Sequence, residues 1–250
     1  MSQNPHIRFD VLTLFPEMFE AVLGQSIIGR ARQNHIVEMN FINIRDYSVD
    51  KHKRVDDYPY GGGSGMVMQP MPIYNAYRSI IDQLDYKPPV IYLSPQGQVF
   101  QQSLARELSE QKHLILLCGH YEGIDERIIE DIVDMEISIG DFVLTGGELP
   151  AMCIIDAICR LVPGVLGQEE SFMDESHYNG LLEYPQYTRP PVFNQRKVPD
   201  VLLSGHHANI QKWRREQSLI RTLKKRPDLI EKAELSSQDR EFIEKFKNNI

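Results

Sequence analysis

Apolar residues in this chain gather in short runs, each ended by a polar or glycine-bearing turn. Ile7–Leu14, Ile36–Ile44, Val90–Leu93, Leu114–Cys118 and Ile137–Ile139 read as strands. Helix-forming stretches lie between them: from Pro16 onward with a break at Gly24, Pro72–Leu84, Ser103–Glu110, and Glu148–Arg160. The last is apolar almost all round, which marks a buried helix, and Pro163-Gly164 stops it. Strands alternating with helices predict an α/β fold, a mainly parallel sheet with helices on both faces. The pattern then changes. Residues 167–179 (GQEESFMDESHYN) are acidic and polar and read as a linker, and 180–250 read as loops followed by helices. A basic helix is predicted over about His206–Arg226, another from Pro227, and a last one capped by Ser236 or Ser237. Residues 1–166 therefore form one domain and 180–250 a small, mostly helical second one.

Composition narrows the class. Apolar and charged fractions of 42% and 25% over 250 residues are ordinary for a soluble globular protein. Cys118, Cys153 and Cys159 show no paired spacing and sit in apolar runs, so they read as reduced core thiols rather than a disulfide or zinc framework. No signal-peptide profile and no run of membrane-spanning length is seen, and a cytoplasmic protein without membrane contact is expected. The net charge of −8 argues against a general nucleic-acid coat, yet Gly205–Arg226 holds seven Lys or Arg against the single acid Glu216. An acidic body with one basic segment fits local contact with a polyanion; a solvated helix face explains the charges equally well.

The candidate chemistry lies where strands end. Ligands of open α/β sheets bind outside the carboxyl ends of strands, so the turns after Leu93, Cys118 and Ile139 are candidates for one pocket. Gly119, Gly123, Gly140, Gly146 and Gly147 lie in the last two. Neither turn carries the dinucleotide or P-loop fingerprint. Between the second strand and Met66 lies a long polar stretch, RDYSVDKHKRVDDYPYGGGSGM, in which Tyr47, Tyr58 and Tyr60 interleave with charges; it reads as a functional loop rather than a disordered one.

The segments LCGHYEGIDER and SIGDFVLTGGELPAM resemble the cofactor-binding loops of the bacterial tRNA (guanine-37-N1)-methyltransferases, members of the trefoil-knotted SPOUT superfamily. VDDYPYGGGSGM, YLSPQG, IDAICRLVPGVLG, GLLEYPQYTRP and SGHHANIQKWRREQS match the same family in order, so the resemblance covers nearly the whole chain. It implies a deep trefoil knot, a homodimer with the active site at the subunit interface, S-adenosylmethionine as methyl donor, magnesium assistance, and a tRNA with guanine at position 37 as substrate. Carried over residue by residue, it implies cofactor contacts from Tyr92, Leu93, Ser94 and Pro95; from Gly119, Tyr121 and Glu122; and from Ile139, Gly140, Asp141, Phe142, Val143, Leu144, Gly146 and Gly147. Asp56, His206, His207, Lys212, Arg214 and Arg215 are implied on the tRNA side, and Glu122 as a contributor to metal binding.

Guanine N1 carries a proton at neutral pH, so its methylation needs a general base, and charge gathering on O6 calls for a cation. The resemblance assigns the cation role to Arg160, which as bare sequence reads as a helix C-terminal cation. For the base, the family has Asp-Ser-Phe where this chain has Glu175-Ser176-His177, with Asp174 just before; Glu175 is favoured and Asp174 is the alternative. Trp213, alone in the basic helix, reads as core. The leading reading is a tRNA guanine-N1 methyltransferase. A methyltransferase of another tRNA or rRNA base, and an RNA-binding protein with a vestigial pocket, are the alternatives.

Overall fold

A computed structural model describes residues 5–167 and 175–248. The chain divides into two compact units, Met1–Gln168 and Glu169–Ile250.

The first unit is built on a five-stranded parallel sheet of β1 (Ile7–Thr13), β2 (Val37–Asn43), β5 (Val90–Val99), β6 (His113–Cys118) and β7 (Met135–Ser138), in the order β2-β1-β6-β5-β7. Because side chains alternate along a strand, the sheet divides its residues between two cores. Phe9, Val11, Leu114, Leu116 and Ile91 face one side, which is covered by α1 (Pro16–Leu23), α2 (Ser26–Gln33), α4 (Gln102–Ser109) and α6 (Glu148–Cys159). Leu12, Ile115, Leu117, Val90 and Tyr92 face the other, which is covered by α3 (Pro70–Ile81) and α5 (Glu126–Ile132). All six residues of β6 are buried, since it has a neighbour on each edge and a helical layer on each face. Helix α3 begins two residues before the expected Pro72, and both prolines fit its first turn, where the N–H groups have no helical partner anyway. Cys118 and Cys159 are buried, whereas Cys153, expected in the core, is exposed on α6.

A polar cluster lies at the amino end of β1 and β6 in this unit. Asp10, fully buried on β1, accepts hydrogen bonds from Arg8 Nη2, Asn40 Nδ2 and His113 Nε2, each at 2.8 Å, and Tyr86 Oη lies 3.1 Å from His113 Nδ1. Burial alone would push the Asp10 carboxyl up; the three donors outweigh it and hold it below the ordinary range.

Strand β5 is longer than its apolar run. Its pairing with β7 breaks after Leu93↔Ile137 and resumes at Gln98↔Ile137 and Val99↔Ser138, so Ser94–Gly97 bulge out of a continuing strand rather than ending it. The long polar stretch is anchored by a 3-10 turn at Ile44–Tyr47 and by an antiparallel ladder of β3 (Asp56–Asp57) with β4 (Val67–Met68). Val55 and Met68 are buried at its base, while Tyr58 and Tyr60 stand exposed at its tip.

In the second unit, a hairpin joins β8 (Val192–Phe193) to β9 (Arg196–Lys197), followed by α7 (Asp200–Leu203), α8 (His207–Lys225), α9 (Pro227–Ile230) and α10 (Ser237–Lys247). Its core is small: Leu181, Leu219 and Ile243, with Leu223, Ile230 and Phe242 against them. Ser236 caps α10 in a reciprocal box with Asp239, and Asp239 also accepts a bidentate pair from Nε and Nη2 of Arg215 on α8. Among the described residues, no helix is long and apolar enough to cross a membrane.

Candidate active site

Strands β6, β5 and β7 are neighbours, so the bulge in β5 (the first turn) and the turns after β6 and β7 (the second and third) come together around a cavity of about 370 Å³. That volume lies within the range of small-molecule sites. Tyr92, Leu93, Ser94 and Pro95 line it from the first turn, and Gly119, Tyr121 and Glu122 from the second. Ile139, Phe142, Val143, Leu144, Gly146 and Gly147 line it from the third. Gly140 and Asp141 lie in that third turn but not on the cavity wall. A larger cavity of about 650 Å³, beside Glu20, Arg32 and His35, opens at the start of β2, the opposite end of a parallel strand from where ligands of such sheets bind.

Backbone geometry shapes the walls. Gly147 N donates to Gly119 O at 2.9 Å and His120 bridges Gly146, which ties the second turn to the third. Glu122 N donates to Met66 O and Met68 N to Gly123 O, which ties the second turn to the β3–β4 arm. These turns are glycine for steric reasons. A Cβ on Gly119 would fall 2.9 Å from the Tyr92 ring, and one on Gly147 would fall 2.8 Å from Cys118 Cα. Tyr92 is itself buried, and burial, helped by Glu136 and Glu126, pushes its phenol up to about 12, so it serves as a neutral wall. Burial likewise holds the Cys118 thiol well above its ordinary range, so it is not a nucleophile. Phe142, Val143 and Leu144 are exposed around the mouth, an apolar rim suited to the flat face of a ring.

The other residues implied by the sequence are distributed elsewhere. Arg160 is the C-cap residue of α6, partly buried, and is not on the wall of this cavity. Glu175 belongs to the second unit and lines a small cavity of about 110 Å³ there with Tyr184, Arg214 and Arg215. Asp174 lies outside the described residues. Asp56 opens β3 opposite Met68. His206 is the N-cap residue of α8, and His207 and Lys212 are exposed on that helix. Arg214 stacks on the Tyr184 ring at 4.8 Å, and its Nε is buried without a hydrogen-bond partner. Arg215 is engaged by Asp239, which gives it a packing role. Trp213, expected in the core, is only partly buried, with Tyr187 beside it at 6.3 Å.

Among the described residues, no group of three or more His, Cys, Asp or Glu is placed to hold a metal ion. Glu122, the expected contributor, is exposed and packs beside Gly65. Nothing among the described residues supports a resident magnesium ion.

Sequence reasoning missed two residues of this region. His120 lines the cavity, and its Nε2 lies 2.7 Å from Oε2 of the buried Glu148. Both sit inside the motifs that carried the resemblance, but nothing in their spacing signals that they pair.

The sequence profile of the family described as tRNA (Guanine-1)-methyltransferase TrmD matches residues 7–232. Among similar proteins, one from Ruminiclostridium cellulolyticum named tRNA (guanine-N(1)-)-methyltransferase is 69% identical, over 90% of this chain and 97% of its own. Proteins of the same name from Clostridium beijerinckii and Alkaliphilus oremlandii are 60% and 59% identical, over 97% and 95% of this chain and 100% and 98% of their own.

Proposed function

The chain belongs to the tRNA (guanine-1)-methyltransferase family, and on that premise we propose how its residues divide the reaction. It is an enzyme that transfers a methyl group to N1 of a guanine in tRNA, and the family's chemistry makes S-adenosylmethionine the donor. The guanine is that at position 37, beside the anticodon. The single observation that carries the placement of the donor is the cavity between the bulge of β5 and the carboxyl ends of β6 and β7. Its glycine-edged turns expose backbone N–H and C=O groups to an adenine edge, and Phe142, Val143 and Leu144 cover the ring's face. We read these interlocked turns as the region of the trefoil knot.

Bound donor supplies an electrophilic methyl carbon on a sulfonium; N1 of guanine forms the new bond to that carbon as the carbon–sulfur bond breaks. The chain supplies the rest. Glu175, or Asp174 beside it, takes the N1 proton. The Arg160 guanidinium faces guanine O6 and stabilises the charge that builds there as the proton leaves. No step is routed through magnesium. In the second unit, Lys212 and the exposed Lys224 and Lys225 hold phosphates, while Asp56 contacts the nucleotide side. Activity resides in a homodimer; Met18 and Val22 on α1 and Leu149 on α6 are exposed apolar side chains that a second copy would cover. Sedimentation of the wild type against Val22→Glu measures that assembly.

The test is methyl transfer from labelled S-adenosylmethionine to two tRNA transcripts that differ only at position 37. Label on the guanine transcript alone is expected. Label on both moves the target to another base, and label on neither, with RNA binding intact, leaves an RNA-binding protein.

A further inference from the structure

Glu148 is a carboxylate with 2% of its surface exposed, at the first residue of α6, bonded to Thr13 and His120. Both of its oxygens are used. Thr13 Oγ1 donates to Oε1 at 2.7 Å, and His120 Nε2 meets Oε2 at 2.7 Å. Thr13 Oγ1 also accepts the N–H of Phe15 at 3.0 Å, and the Phe15 ring packs on the His120 ring with centroids 5.0 Å apart. Three segments distant in sequence thus meet on one side chain: the end of β1, the turn after β6, and the start of α6. Gly146 closes the group, because a Cβ there would run into His120 Nε2 and Glu148 Oε2.

Burying a carboxylate is costly unless its oxygens are bonded, and the N-terminus of α6 offsets only part of that cost. The group stands directly behind the cavity: His120, Gly146 and Gly147 line it, whereas Glu148 and Thr13 do not. The bond between Nε2 and Glu148 fixes the ring's orientation, which no other hydrogen bond of the ring does among the described residues. The ring then spaces the second turn from the third, the dimension that an adenosyl group entering between them must match.

We propose that Glu148, acting through His120 and braced by Thr13, is the positioning residue of the S-adenosylmethionine pocket. It sets donor affinity and leaves tRNA binding alone. The proposal rests on reading the cavity as the donor site.

Calorimetric titration of the full-length protein with S-adenosylmethionine, alongside tRNA binding, tests it. Glu148→Gln keeps the shape but supplies one acceptor where the carboxylate supplies two. Its donor Kd is expected to rise about 10-fold or more, in the 10- to 100-fold range seen when an orienting partner behind a site is lost, with tRNA Kd unchanged. His120→Gln, whose amide nitrogen reaches the place of Nε2, is expected to restore most of the affinity that His120→Leu loses. Thr13→Val, a near-isosteric change on β1, is expected to raise donor Kd by roughly 3- to 10-fold, the loss of one charge-assisted hydrogen bond partly replaced, and it answers the question if Glu148→Gln does not fold. A wild type that fails to bind donor overturns the reading of the cavity itself. A wild type that binds it while Glu148→Gln or Thr13→Val binds it equally well overturns only the positioning role. Equal loss of donor and tRNA affinity also overturns that role, because it marks a general structural defect.

Discussion

Asp239→Asn is the sharpest test of how the second unit holds its basic helix. The Asp239 carboxylate is 6% exposed and receives Arg215 Nε at 3.0 Å, Arg215 Nη2 at 2.9 Å, Ser236 N at 2.9 Å and Ser236 Oγ at 2.8 Å. The Arg215 bonds are the main cause that brings its carboxyl down from 3.8 to about 2; burial opposes them and the Ser236 bonds add to them. A fall of that size is worth about 2 kcal/mol of folding stability, and the partly exposed Arg215 guanidinium trims it towards about 1–2 kcal/mol through solvent screening. Because the folded carboxyl is the more acidic, the stabilisation is complete above the ordinary value near 3.8 and disappears as pH falls through about 2. Asparagine keeps the size and one acceptor and loses the charge. The chain's only tryptophan, Trp213, lies on α8, so its fluorescence reports unfolding of this unit. At pH 7 the variant is expected to melt roughly 5–15 °C below the wild type, from about 4–8 °C per kcal/mol for a unit of this size. The gap should narrow below about pH 4 and close near pH 2. A gap of the same size at pH 3 and pH 7, or no gap at pH 7, would refute the electrostatic account of this contact.

Three further outcomes follow from the site. Gly147→Ala, which drives a Cβ to 2.8 Å from Cys118 Cα, is expected to cost about 1–3 kcal/mol of stability by overpacking, seen in denaturant unfolding, and to weaken donor binding in titration. Glu175→Gln is expected to lower single-turnover methyl transfer by roughly 100-fold or more at unchanged tRNA affinity, the usual scale of a lost general base; full activity there with a dead Asp174→Asn would move the base to Asp174. Lys212→Ala is expected to reduce the slope of log K for tRNA against log salt by about 0.7–0.9, the share of one phosphate contact, without changing which guanine is methylated; an unchanged slope would place Lys212 off the RNA path.

The apolar runs were legible because a parallel strand covered on both faces has few polar positions to disguise it; β6, apolar from Leu114 to Cys118, is the clearest case. Strand β5 was read too short because Ser94-Pro95-Gln96-Gly97 carries every mark of a terminating turn, while the ladder resumes beyond it at Gln98. The β8–β9 hairpin was missed because Asn194 and Gln195 both take positive φ, 48° and 62°, without the glycine that usually advertises such a turn. Charge counting found the basic segment but treated its cations alike. Pairing with Asp239 sets Arg215 apart, and stacking on Tyr184 sets Arg214 apart. The Thr13–His120–Glu148 group was invisible for a similar reason: its partners lie far apart in sequence, and only the fold brings them together.

The order β2-β1-β6-β5-β7 also sets a timetable for synthesis. Arg8 on β1 pairs with His113 on β6, a separation of 105 residues (113 − 8). At ribosomal rates of about 5–20 residues per second, β1 waits roughly 5–20 s for its inner neighbour, with only β2 at its other edge meanwhile. During that interval Phe9 and Val11 lack the neighbours that bury them in the finished sheet, so the nascent chain is a natural client for holding chaperones. The cavity at the strand ends comes later still, since its third wall cannot form until the chain has passed Gly147. A half-made chain therefore has β1, β2, β5 and β6 but neither the edge strand β7 nor a closed cavity at the strand ends.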